Sequence, residues 1–488
     1  MSTTVPFLKS IKKNQKPLAL LFGLLFSIAL YLMNPFELSP RQSLVLSVAI
    51  LMISWWVLEA LPMPVVALMP IVCFPLLNIA SIKTVCSSYA DPIVFLFMGG
   101  FLLAIAIEKW SLHKRIALHI IQFTGTNGNR IILGFMLATG FLSLWLSNTS
   151  TTMMMFPIAL SVIEVVGKHE QNERNLRNFS LVLMLSIAYA SNFALGTIIG
   201  TPPNVAYAGY IADTFQYSIG FSTWMIVFIP LTIVLLFLLY WVLVKGLFPN
   251  RINHSEAGKL FIQESLQQLG PMKSSEKRVA WVFMFTVMFW ILKDLINTWQ
   301  SVLVFDDTII AMLGGLSLFL LPSGDQEKSL LEWTDMTKMA WGILILFGGG
   351  IALAKALEDA KLMEMLGELM KGDQSPGLFW MILIVTTASI FLSEVMSNVA
   401  QVIVMAPVIT TLAISLHIDP LLLGIPMTLG ASCASMLPMG TPPNALVFAS
   451  GYIRMRDMML AGFVLNLICI IVITLFCYFI QPYWIHFP

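Results

Sequence analysis

The chain has 488 residues, of which 58% are hydrophobic and 11% charged, with a formal net charge of +1. A soluble domain is about one-quarter charged, so the composition is that of a polytopic membrane protein, and the near-neutral balance gives no footing for nucleic acid. The five cysteines form no Cys-x-x-Cys pair, four of them lie in apolar stretches and read as small core residues, and no histidine falls in the motifs that follow, so metal ligation by histidine has no support.

The N-terminus is polar and basic (Lys9, Lys12, Lys13, Lys16) and leads into a long apolar run with no small-residue cleavage site after it, so no cleavable signal peptide is expected. Apolar segments follow at 18–33, 43–60, 62–80, 91–108, 179–195, 223–246, 279–297, 308–321, 338–354, 421–437 and 459–480. Most approach the length that crosses a ~30 Å hydrocarbon core. The expected fold is all-α, with about eleven transmembrane helices and two re-entrant hairpins. The amphipathic stretches 109–124 and 355–371 read as helices along the membrane surface. The stretch 247–278 reads as a polar cytoplasmic linker without a catalytic motif.

Two further segments, 131–165 and 377–410, are too long for one crossing and carry a polar cluster in the middle. The first half of the first, 131–145, is only ~22 Å long as a helix. A hairpin with its polar tip in mid-membrane satisfies both facts, and such backbone is tolerated where it is buried in protein or lines a cavity. The clusters are duplicates. Phe-Leu-Ser-x-x-x-Ser-Asn runs from Phe141 to Asn148 and again from Phe391 to Asn398, and the same offset of 250 aligns Gly99 with Gly349 and Glu108 with Glu358. Gly-Thr-Pro-Pro-Asn occurs at 200–204 and at 440–444, interrupting two more helices, with loops expected at 196–203 and 438–443.

Lysine and arginine placement orients the map. With the N-terminus in the cytoplasm, Arg41, Lys83, Lys293, Lys355, Lys361 and Lys371 lie outside and the rest of the 27 lie inside. Eleven crossings then leave the C-terminus outside and make the two halves inverted repeats, whose hairpin tips meet near the midplane. The expected division is a scaffold part in 1–124 and 279–371, a transport part in 125–246 and 372–488, and the linker between the halves.

Paired, helix-breaking polar motifs inside apolar segments are the sequence mark of a transporter's binding site. Carbonyl and hydroxyl oxygens suit a small hard cation, and a half-helix N-terminus suits an anion. No lysine or arginine stands in any of the four motifs. A divalent anion at the midplane then needs co-bound cations. Glu394 occupies the second hairpin where the first has Leu144. A carboxylate bonded to local backbone, or paired at a protein interface, is favoured over a proton-coupling one. Met153, Met154 and Met155 read as hairpin packing.

Ser147-Asn148-Thr149, Thr201-Pro202-Pro203, Ser397-Asn398, Thr441-Pro442-Pro443 and the run from Ala431 to Asn444 resemble the divalent-anion:sodium symporter family, the INDY-type di- and tricarboxylate transporters. The resemblance spans nearly the whole chain. It implies a homodimer in lipid, with a fixed scaffold and a transport domain working as an elevator. It implies one sodium site at Ser143, Ser147, Asn148 and Gly196, and a second at Ser393, Met396, Asn398 and Gly440. It implies substrate contacts from Asn148, Thr149, Thr201, Asn398, Thr441 and Pro442. The family's threonine after the second Ser-Asn is Val399 here, which offers no hydroxyl at that substrate position.

The function expected is sodium-coupled symport of C4-dicarboxylates such as succinate, malate or fumarate in a bacterial inner membrane. Sodium-independent exchange, or sodium-coupled citrate or sulfate transport, is the alternative. A channel is a further class. An intramembrane enzyme lacks support, because the chain has no His-Glu-x-x-His motif and no acid pair or Ser-His dyad at membrane depth.

Overall fold

The computed structural model describes residues 6–58, 60–125, 127–252, 256–300, 302–324, 328–362, 365 and 377–487. Apart from an isolated bridge between Pro322 and Ser329, the described residues hold no β-structure. The helices in chain order are α1 Pro6–Met33, α2 Pro40–Val57, α3 Met63–Ala67, α4 Met69–Leu76, α5 Ile82–Tyr89, α6 Pro92–Lys109 and α7 Leu112–Thr124. Then come α8 Gly128–Ser143, α9 Asn148–Gly167, α10 Glu173–Asn192, α11 Pro202–Phe215, α12 Phe221–Tyr240 (continued by a π-helical stretch, Trp241–Leu247), α13 Glu256–Leu269 and α14 Ser274–Trp299. The second half adds α15 Asp307–Leu320, α16 Trp341–Asp359, α17 Leu378–Ser393, α18 Asn398–Ser415, α19 Pro420–Ala431, α20 Pro442–Phe448 and α21 Met455–Phe479.

Among the described residues, nine helical spans are long and apolar enough to cross a membrane. Two of them, α9 and α18, are the outgoing arms of the hairpins. The expected segment 308–321 is a helix of that length, α15, whereas the expected segments at 62–80 and 421–437 hold shorter helices. The segment 62–80 is split at Leu68 into α3 and α4, with Pro64 and Pro70 in the first turns of the two helices and Pro75 inside α4. The segment 421–437 unwinds after Ala431. The stretch 109–124 is one helix, α7, entered through a left-handed Ser111 (φ 57) and packed by its apolar face on α8. Of 355–371, the first residues finish α16, while 363–364 and 366–371 lie outside the described residues.

Both hairpins are present. The incoming arm α8 ends at Ser143 and α9 starts at Asn148; α17 ends at Ser393 and α18 starts at Asn398. Each return is a turn of a few residues between the two serines of the duplicated motif.

The two halves exchange partners. Helix α6 packs along α15 of the second half, and α16 packs against α3 and α5 of the first. The duplicated glycines make this possible. A Cβ on Gly99 would run into the backbone of Ala311, and one on Gly349 into the carbonyl of Ala67. Small residues let helix backbones approach closely in a membrane. Gly349→Ala therefore forces α16 and α3 apart. The expected cost is about 1–3 kcal/mol, read as a lowered midpoint in thermal unfolding of the detergent-solubilised protein; an unchanged midpoint would contradict this packing.

Aliphatic and aromatic side chains of α1, α12, α14 and α21 remain exposed on the outside of the bundle, including Phe22, Phe237, Trp281 and Phe463. This is the arrangement lipid requires. Of the cysteines, Cys433, Cys469 and Cys477 are buried, and all five are free thiols.

Candidate functional site

Each hairpin tip builds the same oxygen cluster against the end of a broken helix. In the first, Ser143 Oγ lies 3.3 Å from Asn148 Oδ1 and 3.0 Å from the carbonyl of Ser191. In the second, Ser393 Oγ lies 2.7 Å from Asn398 Oδ1 and 2.5 Å from the carbonyl of Ala431. The carbonyls belong to the last turns of α10 and α19, whose terminal C=O groups lack helical partners. A hydroxyl has one proton and can donate to only one of its two acceptors at a time. Each cluster therefore gathers three oxygens around a single proton, a donor set suited to a hard monovalent cation.

The helix starts face the same space. Ser147 caps α9, its hydroxyl accepting from Ser150 N at 3.2 Å, whereas Ser397 caps α18 by position alone, with no side-chain bond. α11 and α20 begin with Pro202 and Pro442, which suit a first turn because the missing N–H has no helical acceptor there. The breaks begin at Phe193 and Ser432, earlier than the expected loops. The motif asparagines explain why. Asn204 Nδ2 donates to the carbonyls of Leu195 and Thr197, and Asn444 Nδ2 to those of Ala434 and Leu437. Side-chain amides thus satisfy the carbonyls that unwinding frees.

A cavity of about 490 Å³ lies between the tips and the breaks. Ser147, Asn148, Thr149, Asn398, Val399, Gly440, Thr441 and Pro442 line it, with Met63 of α3 and Ile343 of α16 closing the opposite wall. No charged side chain lines it. Other expected residues stand behind this wall. Ser143 and Ser393 are fully buried in the oxygen clusters, and Gly196 is buried in the first break beside Leu144. Thr201 is fully buried, with its hydroxyl accepting from Ser432 Oγ at 3.2 Å, and Pro202 and Pro203 reach the cavity in its place. Met396 is half-buried and packs against the cluster around α2, α3 and α16.

Glu394 is bonded to local backbone. Its Oε1 accepts from Ser435 N and Met436 N at 2.8 Å and from Asn466 Nδ2 at 2.7 Å, and its Oε2 accepts from Leu437 N at 2.9 Å. The carboxylate pins the second break to the second tip. The first repeat does this with a hydroxyl: Thr197 Oγ1 donates to the carbonyl of Leu144. At the C-terminal end of α11, Asp213 pairs with Lys355 of α16 at 2.5 Å. Burial pushes the Asp213 carboxyl above its ordinary value, and the Lys355 ammonium opposes that shift.

The family model described as the sodium:sulfate symporter transmembrane region matches residues 12–487. The chain belongs to the sodium:sulfate symporter family. It is 39% identical over 482 residues to a sodium-dependent dicarboxylate transporter of Staphylococcus saprophyticus, covering 97% of this chain and 93% of that one. It is 38% identical over 488 residues to one of Staphylococcus aureus, covering 98% and 94%. The crystal structure of the Alcanivorax borkumensis YdaH transporter superposes with a TM-score of 0.56 at 13% identity, over 82% of this chain and 88% of that chain; the two share a fold.

In this member of the symporter family, sequence reasoning missed three site residues. Asn192 lines the cavity, Ser191 supplies a carbonyl to the first cluster, and Ser432 holds Thr201. Asn192 and Ser432 occupy matched positions, each as far before its Gly-Thr-Pro-Pro-Asn as the other, but differ in residue type. A search for identical pairs passes over them.

Proposed function

We propose that the protein is a sodium-coupled C4-dicarboxylate symporter. The observation that carries this reading is the pair of oxygen clusters flanking one uncharged cavity onto which helix N-termini open. Two cations bound in the clusters would neutralise a dianion whose desolvation no side chain offsets. The helix N-termini and the amide and hydroxyl groups of Asn148, Thr149, Asn398 and Thr441 would hold its carboxylates. The relatives named as sodium-dependent dicarboxylate transporters support both cargo assignments. The protein is a transporter and not an enzyme.

Sodium binds first and organises the tips, the dicarboxylate follows, and the loaded unit moves. Hairpins and broken helices, in 125–246 and 372–488, form the mobile part; 1–124 and 279–371 form the scaffold. The cavity lies between these two parts, as an elevator requires. The protein works as a homodimer in the bacterial inner membrane, with its N-terminus in the cytoplasm and its C-terminus outside.

The test is uptake of labelled succinate into proteoliposomes with and without an inward sodium gradient, the lumen otherwise empty. Accumulation is expected only with the gradient. Uptake that ignores sodium and needs internal dicarboxylate would make the protein an exchanger. Sodium-driven accumulation of sulfate or citrate but not succinate would keep the coupling and change the cargo.

A further inference from the structure

One buried amide sets the first cation cluster, and its own orientation is imposed from the other half of the molecule. Two backbone carbonyls, those of Ala434 and Leu437, can only accept. They take both hydrogens of the Asn444 amide, at 3.3 and 3.2 Å, so Asn444 Oδ1 points the other way. That oxygen needs a donor, and Asn192 Nδ2 stands 3.3 Å from it and 3.1 Å from Thr441 Oγ1. With its nitrogen held there, Asn192 presents Oδ1 to Asn148, whose Nδ2 lies 3.5 Å away. Asn148 Oδ1 is thereby left facing Ser143 and the Ser191 carbonyl. An asparagine amide can ordinarily flip, because its two ends are nearly the same shape. Here the choice at Asn148 is made roughly 290 residues away along the chain, at Ala434, Leu437 and Asn444.

The second cluster has no such wiring. The position matching Asn192 holds Ser432, whose shorter side chain donates to Thr201 Oγ1. Among the described residues no protein group accepts from Asn398 Nδ2. Asn192 borders the cavity with no exposed surface of its own, and both ends of its amide are taken by protein groups, the nitrogen by Thr441 and Asn444 and the oxygen by Asn148.

We propose that Asn192 is the positioning residue for the first sodium site, presetting the Asn148 carbonyl oxygen toward the cation and tying that site to the Thr441 half of the cavity. This deepens the symporter reading and rests on it. Losing the relay frees the Asn148 amide to turn its N–H groups toward the cluster, which weakens cation binding more than anion binding.

The test compares wild type with Asn192→Ala and with Asn192→Ser, the second carrying the residue that already fits the matching position in the other repeat. Two quantities are read. The first is the sodium concentration giving half-maximal thermal stabilisation of the purified protein without dicarboxylate. The second is the KM for succinate at saturating sodium. The expected result is a rise of about tenfold in the sodium requirement of both variants, read without dicarboxylate, with a smaller rise in the succinate KM because Asn192 also donates to Thr441 at the cavity. A merely structural role would lower yield and maximal rate and leave the sodium requirement where it was; that outcome, or failure of both variants to yield monodisperse protein, overturns the proposal. Wild type that is stabilised by sodium but does not take up succinate would sink the dicarboxylate assignment and leave the relay open to the same stabilisation assay.

Discussion

Asn398→Ala reduces sodium-driven succinate uptake on the order of 100-fold. Two losses combine. The variant loses Oδ1, the oxygen 2.7 Å from Ser393 Oγ in the second cluster. It also loses Nδ2, which stands at the cavity with no protein acceptor among the described residues and is free for the anion. Each hydrogen bond or ligand bond to a charged group is worth ~1.5–3 kcal/mol, and two such losses give a factor of about 100 or more. Asn148→Ala follows the same logic with a smaller loss on the anion side, because Asn148 Nδ2 already has Asn192 as a partner. Initial rates in proteoliposomes at several sodium concentrations check this. The Asn148→Ala rate should recover in part at high sodium and the Asn398→Ala rate much less. Uptake at wild-type levels in both variants would remove the two Ser-Asn tips from the site.

The second large effect concerns folding. Glu394→Leu, which installs the residue of the first hairpin, leaves three backbone N–H groups at 435–437 and the Asn466 amide without their acceptor. Each orphaned buried donor costs about 1–3 kcal/mol. The total is comparable to the whole stability of an ordinary domain. The expected outcome is loss of monodisperse protein. Glu394→Gln keeps one acceptor oxygen but turns an NH₂ toward Leu437 N, so it should fold with a lowered unfolding midpoint and reduced uptake. A proton-carrying role makes the opposite prediction: Glu394→Gln would fold like wild type and lose a proton flux accompanying uptake. A pH-sensitive dye inside the vesicles distinguishes the two, and no such flux is expected from wild type.

The chain disclosed its architecture where it repeated itself. The copies of Phe-Leu-Ser-x-x-x-Ser-Asn located both hairpins, and the copies of Gly-Thr-Pro-Pro-Asn located both breaks, because polar residues and prolines at membrane depth have few uses besides a site. The extent of unwinding was not legible. It depends on Asn204 and Asn444 reaching back to carbonyls several residues upstream, which needs coordinates. The split of 62–80 was written in its prolines, but apolar length outweighed them in the reading. The partners of Glu394 lie 41 to 72 residues away, so its type could be weighed and its anchoring of the break could not be seen. Asn192 was hidden differently. It is a single amide in an apolar run, and its counterpart in the other repeat is serine.

The exchange of partners between the halves has a consequence for how the protein is made. Gly99 docks on Ala311, and Asn192 on Thr441 and Asn444. Those partners leave the ribosome roughly 200 and 250 residues later, delays on the order of 10–50 s at ~5–20 residues per second. During that interval the glycine face of α6 can rest against lipid at little cost, but the amide of Asn192 has no water and no native acceptor. Each half holds contacts that only the other completes. The nascent first half must wait in the membrane with its most polar buried groups unsatisfied, sheltered by the insertion machinery or by other segments, until the last helices arrive to complete it.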